Sequence, residues 1–120
     1  MTSEQTAGGI LTIDLDAVGA NWRRLDAMVA GEAAAVVKAD AYGLGAEKIA
    51  PALAAAGCKT FFVALIDEGV ALRTFLGGGE AVIYVLGGLL PGTEEMFVEH
   101  ALRPVLNSLS EIHAWAAFCS

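Results

Sequence analysis

Four residues set within eight positions carry the chemistry this sequence offers: Lys38, Tyr42, Gly43 and Gly45, in the run AAVVKADAYGLG from Ala34 to Gly45. Ala34 to Val37 is short, apolar and bounded by Gly31 on one side and Gly43 on the other. That pattern suits a buried strand of a parallel sheet better than a helix. Side chains alternate along a strand, so Ala34, Val36 and Lys38 share one face. The lysine stem is then desolvated and its head reaches the rim of the sheet. Desolvation lowers a lysine's pKa, and a neutral amine is the form that attacks a carbonyl. The two glycines allow positive φ and a close approach of backbone to ligand. Ala46 opens a helical pattern whose free N–H groups attract an anion such as phosphate. An amine, a phenol and an anion site together meet the needs of pyridoxal phosphate, which takes a lysine for its Schiff base and donors for its phosphate. A plain surface lysine at a strand–loop–helix corner fits the same residues.

Other elements must hold this stretch in place. Ile10 to Leu15 alternates apolar and polar residues and predicts a short strand, with Asp14 or Asp16 capping the helix after it. Val18, Trp22, Leu25 and Val29 form one apolar stripe of that helix, which Gly31 ends; Arg23 and Arg24 lie off the stripe, on a solvated face. A helix is expected over residues 46–56, with Pro51 kinking it or delaying its start. Phe61 to Ile66 predicts a second apolar strand. Asp67 is the expected N-cap of the next helix, with Glu68 at the positive end of its dipole and Arg73 a surface charge. Gly77 to Gly79 lack a following lysine and precede a strand, which makes them a turn rather than a phosphate loop. Ala81 to Leu86 predicts a third strand. Thr93 to Ala101 follows as a short helix. Leu102 to Asn107 is expected as a fourth strand, in which Pro104 implies an edge position or a delayed first ladder bond. Ser108 and Glu111 form a capping box before a final helix. His100 and His113 have no partner at ligand spacing.

Strand–helix units of 20 to 27 residues imply a parallel sheet with right-handed crossovers. A doubly wound sheet and a part of an eightfold barrel share this local pattern. With 120 residues the chain is long enough for one modest domain. Hydrophobic residues make up 56% and charged ones 18%, the balance expected of strands buried on both faces. The net charge of −7, without a basic cluster, argues against nucleic acid. No apolar run is long enough to span a membrane. Residues 1–9 have no signal-peptide pattern and are expected to form a disordered leader, followed by one unit over residues 10–120. Cys58 and Cys119 stand alone, which fits a reducing, cytoplasmic setting.

VVKADAYGLG closely resembles the pyridoxal-lysine motif of alanine racemases, VVKA[DN]AYGHG. LTIDLDAVGANWRRL (Leu11 to Leu25), FFVALIDEGVALR (Phe61 to Arg73) and VIYVLGG (Val82 to Gly88) resemble the same family in the same order. The resemblance covers the chain from about Leu11 to Asn107. One departure is Leu44, where the family has histidine; any hydrogen bond made by that ring is lost.

The resemblance implies an α/β fold: the first four units or so of a (β/α)8 TIM-type barrel, after a short N-terminal strand and helix. It implies interconversion of L- and D-alanine by α-proton transfer on pyridoxal 5'-phosphate, supplying D-alanine for peptidoglycan. Lys38 would carry the cofactor and serve as the base for the D-enantiomer. Tyr42 would bind the cofactor phosphate, and Leu86 would line the cofactor pocket. No metal is implied. Family members act as homodimers and take a second base, a tyrosine, from the partner's C-terminal β domain. That domain is absent here, so an amino-terminal fragment, inactive alone, is expected. The rival readings are a pyridoxal phosphate-binding barrel protein without racemase activity, and an inactive remnant.

Overall fold

The computed structural model describes residues 2–120. Four strands, β1 (Ala35–Val36), β2 (Thr60–Val63), β3 (Val82–Val85) and β4 (Leu102–Pro104), form one sheet in sequence order, and every pair is parallel. Between them run the helices expected of strand–helix units: α4 (Ala46–Ala56), α5 (Ile66–Phe75) and α6 (Glu94–Glu99). Helix α2 (Leu15–Ala27) precedes the sheet and α7 (Leu109–Cys119) follows it. A five-residue turn, α3 (Lys38–Tyr42), links β1 to α4. Of the expected leader, Met1 lies outside the described residues; residues 2–9 are exposed and include one helical turn, α1 (Ser3–Thr6).

The two faces of the sheet differ. Ala35, Phe61, Val63, Ile83, Val85 and Leu102 are buried beneath the helices, with Ile49, Leu53, Leu72 and Phe97 packed over them. Full burial of side chains of this size contributes about 1.5–3 kcal/mol each. Across the other face runs the paired row Val36, Phe62, Tyr84, Arg103. Val36 is 45% exposed, and Phe62 and Tyr84 are half-buried, their rings stacked with centroids 4.9 Å apart. The expectation of strands buried on both faces therefore fails on this side. Among the described residues no helix packs over the second face, which leaves Val36 open to solvent.

The expected strand at Ile10 to Leu15 is absent. Residues 10–14 join no ladder, Ile10 and Leu11 are exposed, and Leu15 already begins α2. Alternation specifies a face, but a strand forms only against a neighbour, and the chain offers none there. Asp14, not Asp16, caps α2 through the Ala17 N–H. That helix stops at Met28, before Gly31, so Leu25 and Val29 stay exposed while Val18 and Trp22 reach the core. Trp22 Nε1 donates to the Ala33 carbonyl, tying α2 to the segment that enters β1. Arg23 is exposed and donates to the last carbonyl of α4, at Ala56.

Pro51 does not delay α4, which starts at Ala46. The carbonyl left without a helical donor is that of Glu47, an exposed residue that water can serve. Helix α5 begins two residues earlier than an Asp67 cap implies: its cap is Leu65, with Glu68 at the third position accepting the Ala64 and Leu65 N–H groups. Pro104 lies in edge strand β4, where its missing N–H costs no inner ladder bond. Ser108 caps α7 through the Glu111 N–H.

Arg73 is not a free surface charge. Its guanidinium donates to four carbonyls, those of Gly79, Ala81, His100 and Ala101, at 2.7–3.4 Å. It thereby joins the segments entering β3 and β4, and partial burial pushes its pKa below the ordinary arginine value. Only a planar fork serves so many acceptors at once. Arg73→Ala is expected to lower stability by about 2–4 kcal/mol in urea unfolding, and Arg73→Lys to recover less than half of that.

Candidate functional site

The site begins where β1 ends. The Val37 N–H donates to the Phe62 carbonyl at 2.9 Å, and the next residue is Lys38. It lies just beyond the carboxyl end of β1 and is half-buried, whereas Ala34 and Val36 are exposed. Val37, between β1 and Lys38, has ψ of 24° rather than an extended value, so the alternation of the strand does not carry through to Lys38. The apolar neighbours are open to solvent, so the surrounding of the stem is wetter than the sequence implied.

After Lys38 the backbone turns left-handed. Ala39, Asp40, Ala41 and Tyr42 have φ of 50–55°, and Gly43 follows at 84°. For an L-residue this conformation costs roughly 1–2 kcal/mol. Four such residues in succession need external restraint, and hydrogen bonds supply it. The Ala41 N–H donates to the Val37 carbonyl, the Gly43 N–H to Ala39, and the Gly45 N–H to Asp40, all at 2.9–3.0 Å. Asp40 Oδ1 accepts the Ala46 N–H at 2.8 Å. Glu68 Oε2, from α5, accepts the Ala39 N–H at 2.6 Å. Ala41 is buried, its methyl packed into the core. Strained backbone held by its surroundings is a mark of functional sites.

This geometry corrects one expectation. The first N–H of α4, from Ala46, does not await an external anion, because Asp40 already occupies it. A phosphate here must be held by other donors. Tyr42 is one such group: it is 63% exposed, and Lys38 Nζ lies 5.9 Å from its ring centroid. Lys38 and Tyr42 are thus brought together. Leu44 is 40% exposed and offers no polar group.

Leu86 follows β3 and extends the sheet by donating its N–H to the Val63 carbonyl at 2.8 Å. The last ladder pairs are Val36 with Phe62 and Val63 with Val85, so Lys38 lies two residues and Leu86 one residue beyond the paired part of its strand. The Leu86 carbonyl accepts from Asn107 Nδ2 at 3.0 Å. Beyond it, Gly88 has φ of 84°, and a Cβ there would collide with Glu111 Oε1. Glu111 accepts the N–H groups of Leu89 at 2.6 Å and Asn107 at 2.8 Å. These bonds hold its carboxyl below the usual carboxylate range. Neither Asn107 nor the reach of Glu68 to Ala39 was apparent in the sequence. The capping pattern at Glu68 was the only signal, and it is a local one.

Val37, Asp40, Ala46, Val63, Glu68 and Phe75 contribute to a cavity of about 320 Å³ adjoining the left-handed turn. A larger cavity, about 490 Å³, opens at the other end of the strands, beside Cys58, Lys59, Thr60 and Val82. Burial pushes the Cys58 thiol pKa up, so it is a weak nucleophile there. Among the described residues no group of three His, Cys, Asp or Glu could hold a metal ion, and no helix is long and apolar enough to cross a membrane.

A family model described as alanine racemase, N-terminal domain, matches residues 13–120. The chain belongs to the alanine racemase N-terminal domain family. It is 55% identical over 120 residues to the alanine racemase of Methylobacterium sp. (strain 4-46), a match covering 99% of this chain and 32% of the relative. The alanine racemase of Brucella ovis (strain ATCC 25840 / 63/290 / NCTC 10512) is 52% identical over 115 residues, covering 95% of this chain and 29% of its own length. The chain thus spans about a third of the racemases it matches. Among solved structures, alanine racemase from Bartonella henselae with covalently bound pyridoxal phosphate superposes with TM-score 0.84 at 48% identity, covering 89% of this chain and 30% of that one. The Streptomyces coelicolor A3(2) enzyme gives TM-score 0.75 at 34% identity, covering 88% and 28%. The family's barrel accounts for the parallel four-stranded sheet and favours the barrel over a doubly wound sheet.

The left-handed turn yields a direct test. Ala39 is exposed with φ of 50°, a conformation that glycine adopts freely. Ala39→Gly is expected to be neutral or to stabilise by up to about 1 kcal/mol. Ala55→Gly, at an exposed position of α4, is expected to cost about 1 kcal/mol. Urea unfolding of the two variants reads both signs.

Proposed function

We propose that this chain is the cofactor-bearing amino-terminal part of an alanine racemase. Lys38 would hold pyridoxal 5'-phosphate through Nζ and would move the α proton on one face of the amino acid. The observation that carries this reading is the position of Lys38. It sits at the carboxyl end of β1, where (β/α) barrels place their chemistry, on a turn whose strain is held by two carboxylates. The similarity to a racemase structure with covalently bound pyridoxal phosphate supports the same cofactor here.

The donor set fits the group. Lys38 offers an amine for the aldehyde, and the exposed phenol of Tyr42, its ring centroid 5.9 Å from Lys38 Nζ, offers a hydrogen-bond donor for the phosphate. Leu86, just beyond the end of β3, would supply apolar lining. Pyridoxal phosphate, when bound, supplies an electron sink that acidifies the α C–H bond. What remains is proton management by this chain. Lys38 would accept the α proton at Nζ, which lies 5.9 Å from the centroid of the Tyr42 ring. Leu44 leaves the edge of the site without a second titratable ring.

Racemisation requires proton transfer on both faces of the α carbon, and Lys38 serves one. We assign the second base, a tyrosine by the family resemblance, to a part of the relatives that these 120 residues do not match. The same reading makes L- and D-alanine the substrates, a homodimer the working assembly and the cytoplasm its place. The last is supported by two free cysteines, one buried and one exposed.

Borohydride reduction with added pyridoxal phosphate, followed by peptide mapping, tests the assignment. Selective fixation on Lys38, lost in Lys38→Ala, is expected. Equal labelling of Lys48 and Lys59, both exposed, would refute a formed site.

A further inference from the structure

Glu68 does two things with one carboxylate. Oε1 accepts the Ala64 and Leu65 N–H groups at 2.8 and 2.9 Å, closing the start of α5. Oε2 accepts the Ala39 N–H at 2.6 Å, in a loop 29 residues earlier. Ala39 is the residue after Lys38 and the first of the left-handed run. The bond therefore fixes the peptide on which the lysine side chain is mounted. Glu111 repeats the device one pair of units later: it closes the start of α7 and reaches back to Leu89 in the loop after β3. In both cases the third residue of a helix ties its own strand–helix loop to that of a neighbouring strand. Only at Glu68 is the tied segment both strained and attached to an amine.

We infer that Glu68 is a positioning residue for Lys38: its Oε2–Ala39 bond locks the left-handed turn in the register that presents Nζ to the cofactor aldehyde. It touches neither Nζ nor any reacting atom, and acts through the backbone alone. The inference rests on the reading of Lys38 as the cofactor lysine. The physical argument is one of preorganisation. A turn that opposes its residues' own φ preference relaxes when a restraint is removed, and Lys38 is the side chain that moves with it. The Ala39 bond is short and charge-assisted, and so among the stronger restraints on the turn.

Glu68→Gln separates this role from simple capping. A glutamine keeps one acceptor oxygen, enough for the Ala64 and Leu65 N–H groups, but turns an NH2 donor toward the Ala39 N–H. Glu68→Asp keeps the charge and shortens the arm by one methylene, so it caps α5 without reaching Ala39. The experiment uses the complete product of the reading frame in which these residues lie. It measures cofactor fixed on Lys38 by borohydride and, without cofactor, amide hydrogen exchange at Ala39, Ala64 and Leu65.

For both variants the expected result is about tenfold less fixation on Lys38 than in the parent, with faster exchange at Ala39 and unchanged protection at Ala64 and Leu65. Fixation equal to the parent's overturns the inference and leaves Glu68 a cap, whether or not Ala39 exchange quickens. Reduced fixation with unchanged Ala39 exchange overturns it too, because the effect then bypasses the bond. Failure of the parent itself to fix cofactor on Lys38 overturns the cofactor reading, and this inference with it.

Discussion

The left-handed backbone from Ala39 to Tyr42 is the constraint around which the rest of this chain is arranged. Four non-glycine residues oppose their intrinsic preference, and nothing in their own side chains favours it except the Asp40 carboxylate. The restoring bonds come from outside: β1 supplies the Val37 carbonyl, α4 the Ala46 N–H, and α5 the Glu68 carboxylate. Each of those elements is itself fixed by the buried face of the parallel sheet. Core packing, helix capping and turn geometry therefore converge on one place, the mount of Lys38.

The sheet explains why that place is useful. In parallel strands the side chains at the carboxyl ends form a row that no crossover helix covers. Lys38 and Leu86 follow the carboxyl ends of β1 and β3, and the paired row Val36, Phe62, Tyr84 and Arg103 crosses the strands before them. Arg103 donates to the Tyr84 hydroxyl, and Tyr84 stacks on Phe62, so the open face is ordered although exposed. A cofactor lying on this face would meet an amine at one side and apolar or aromatic surface beneath.

Much of this was legible in the residues. The alternation of short apolar runs with helical stripes located all four paired strands. The Ser108 cap and the Gly77–Gly79 turn also read correctly, because each depends on neighbours within a few positions. What escaped was long-range. Ile10 to Leu15 has the right alternation for a strand but no partner. Arg73 looked like a surface charge because its four acceptors lie 6 to 28 residues away. The N-terminus of α4 looked like an anion site because Asp40 had not been placed against it. The left-handed run was also hidden, since its residues are Ala, Asp, Ala and Tyr, not the glycines that announce positive φ.

The central claim is that Lys38, on its held turn, is a proton-transfer group for an amino acid bound through pyridoxal phosphate. The most direct measurement follows the α proton of L-alanine by nuclear magnetic resonance in deuterated water, with the complete product of the reading frame, cofactor and the Lys38→Ala variant as control. The account predicts exchange of the α proton for deuterium together with formation of D-alanine, both abolished by Lys38→Ala. Exchange that persists at the parent rate in Lys38→Ala would contradict it.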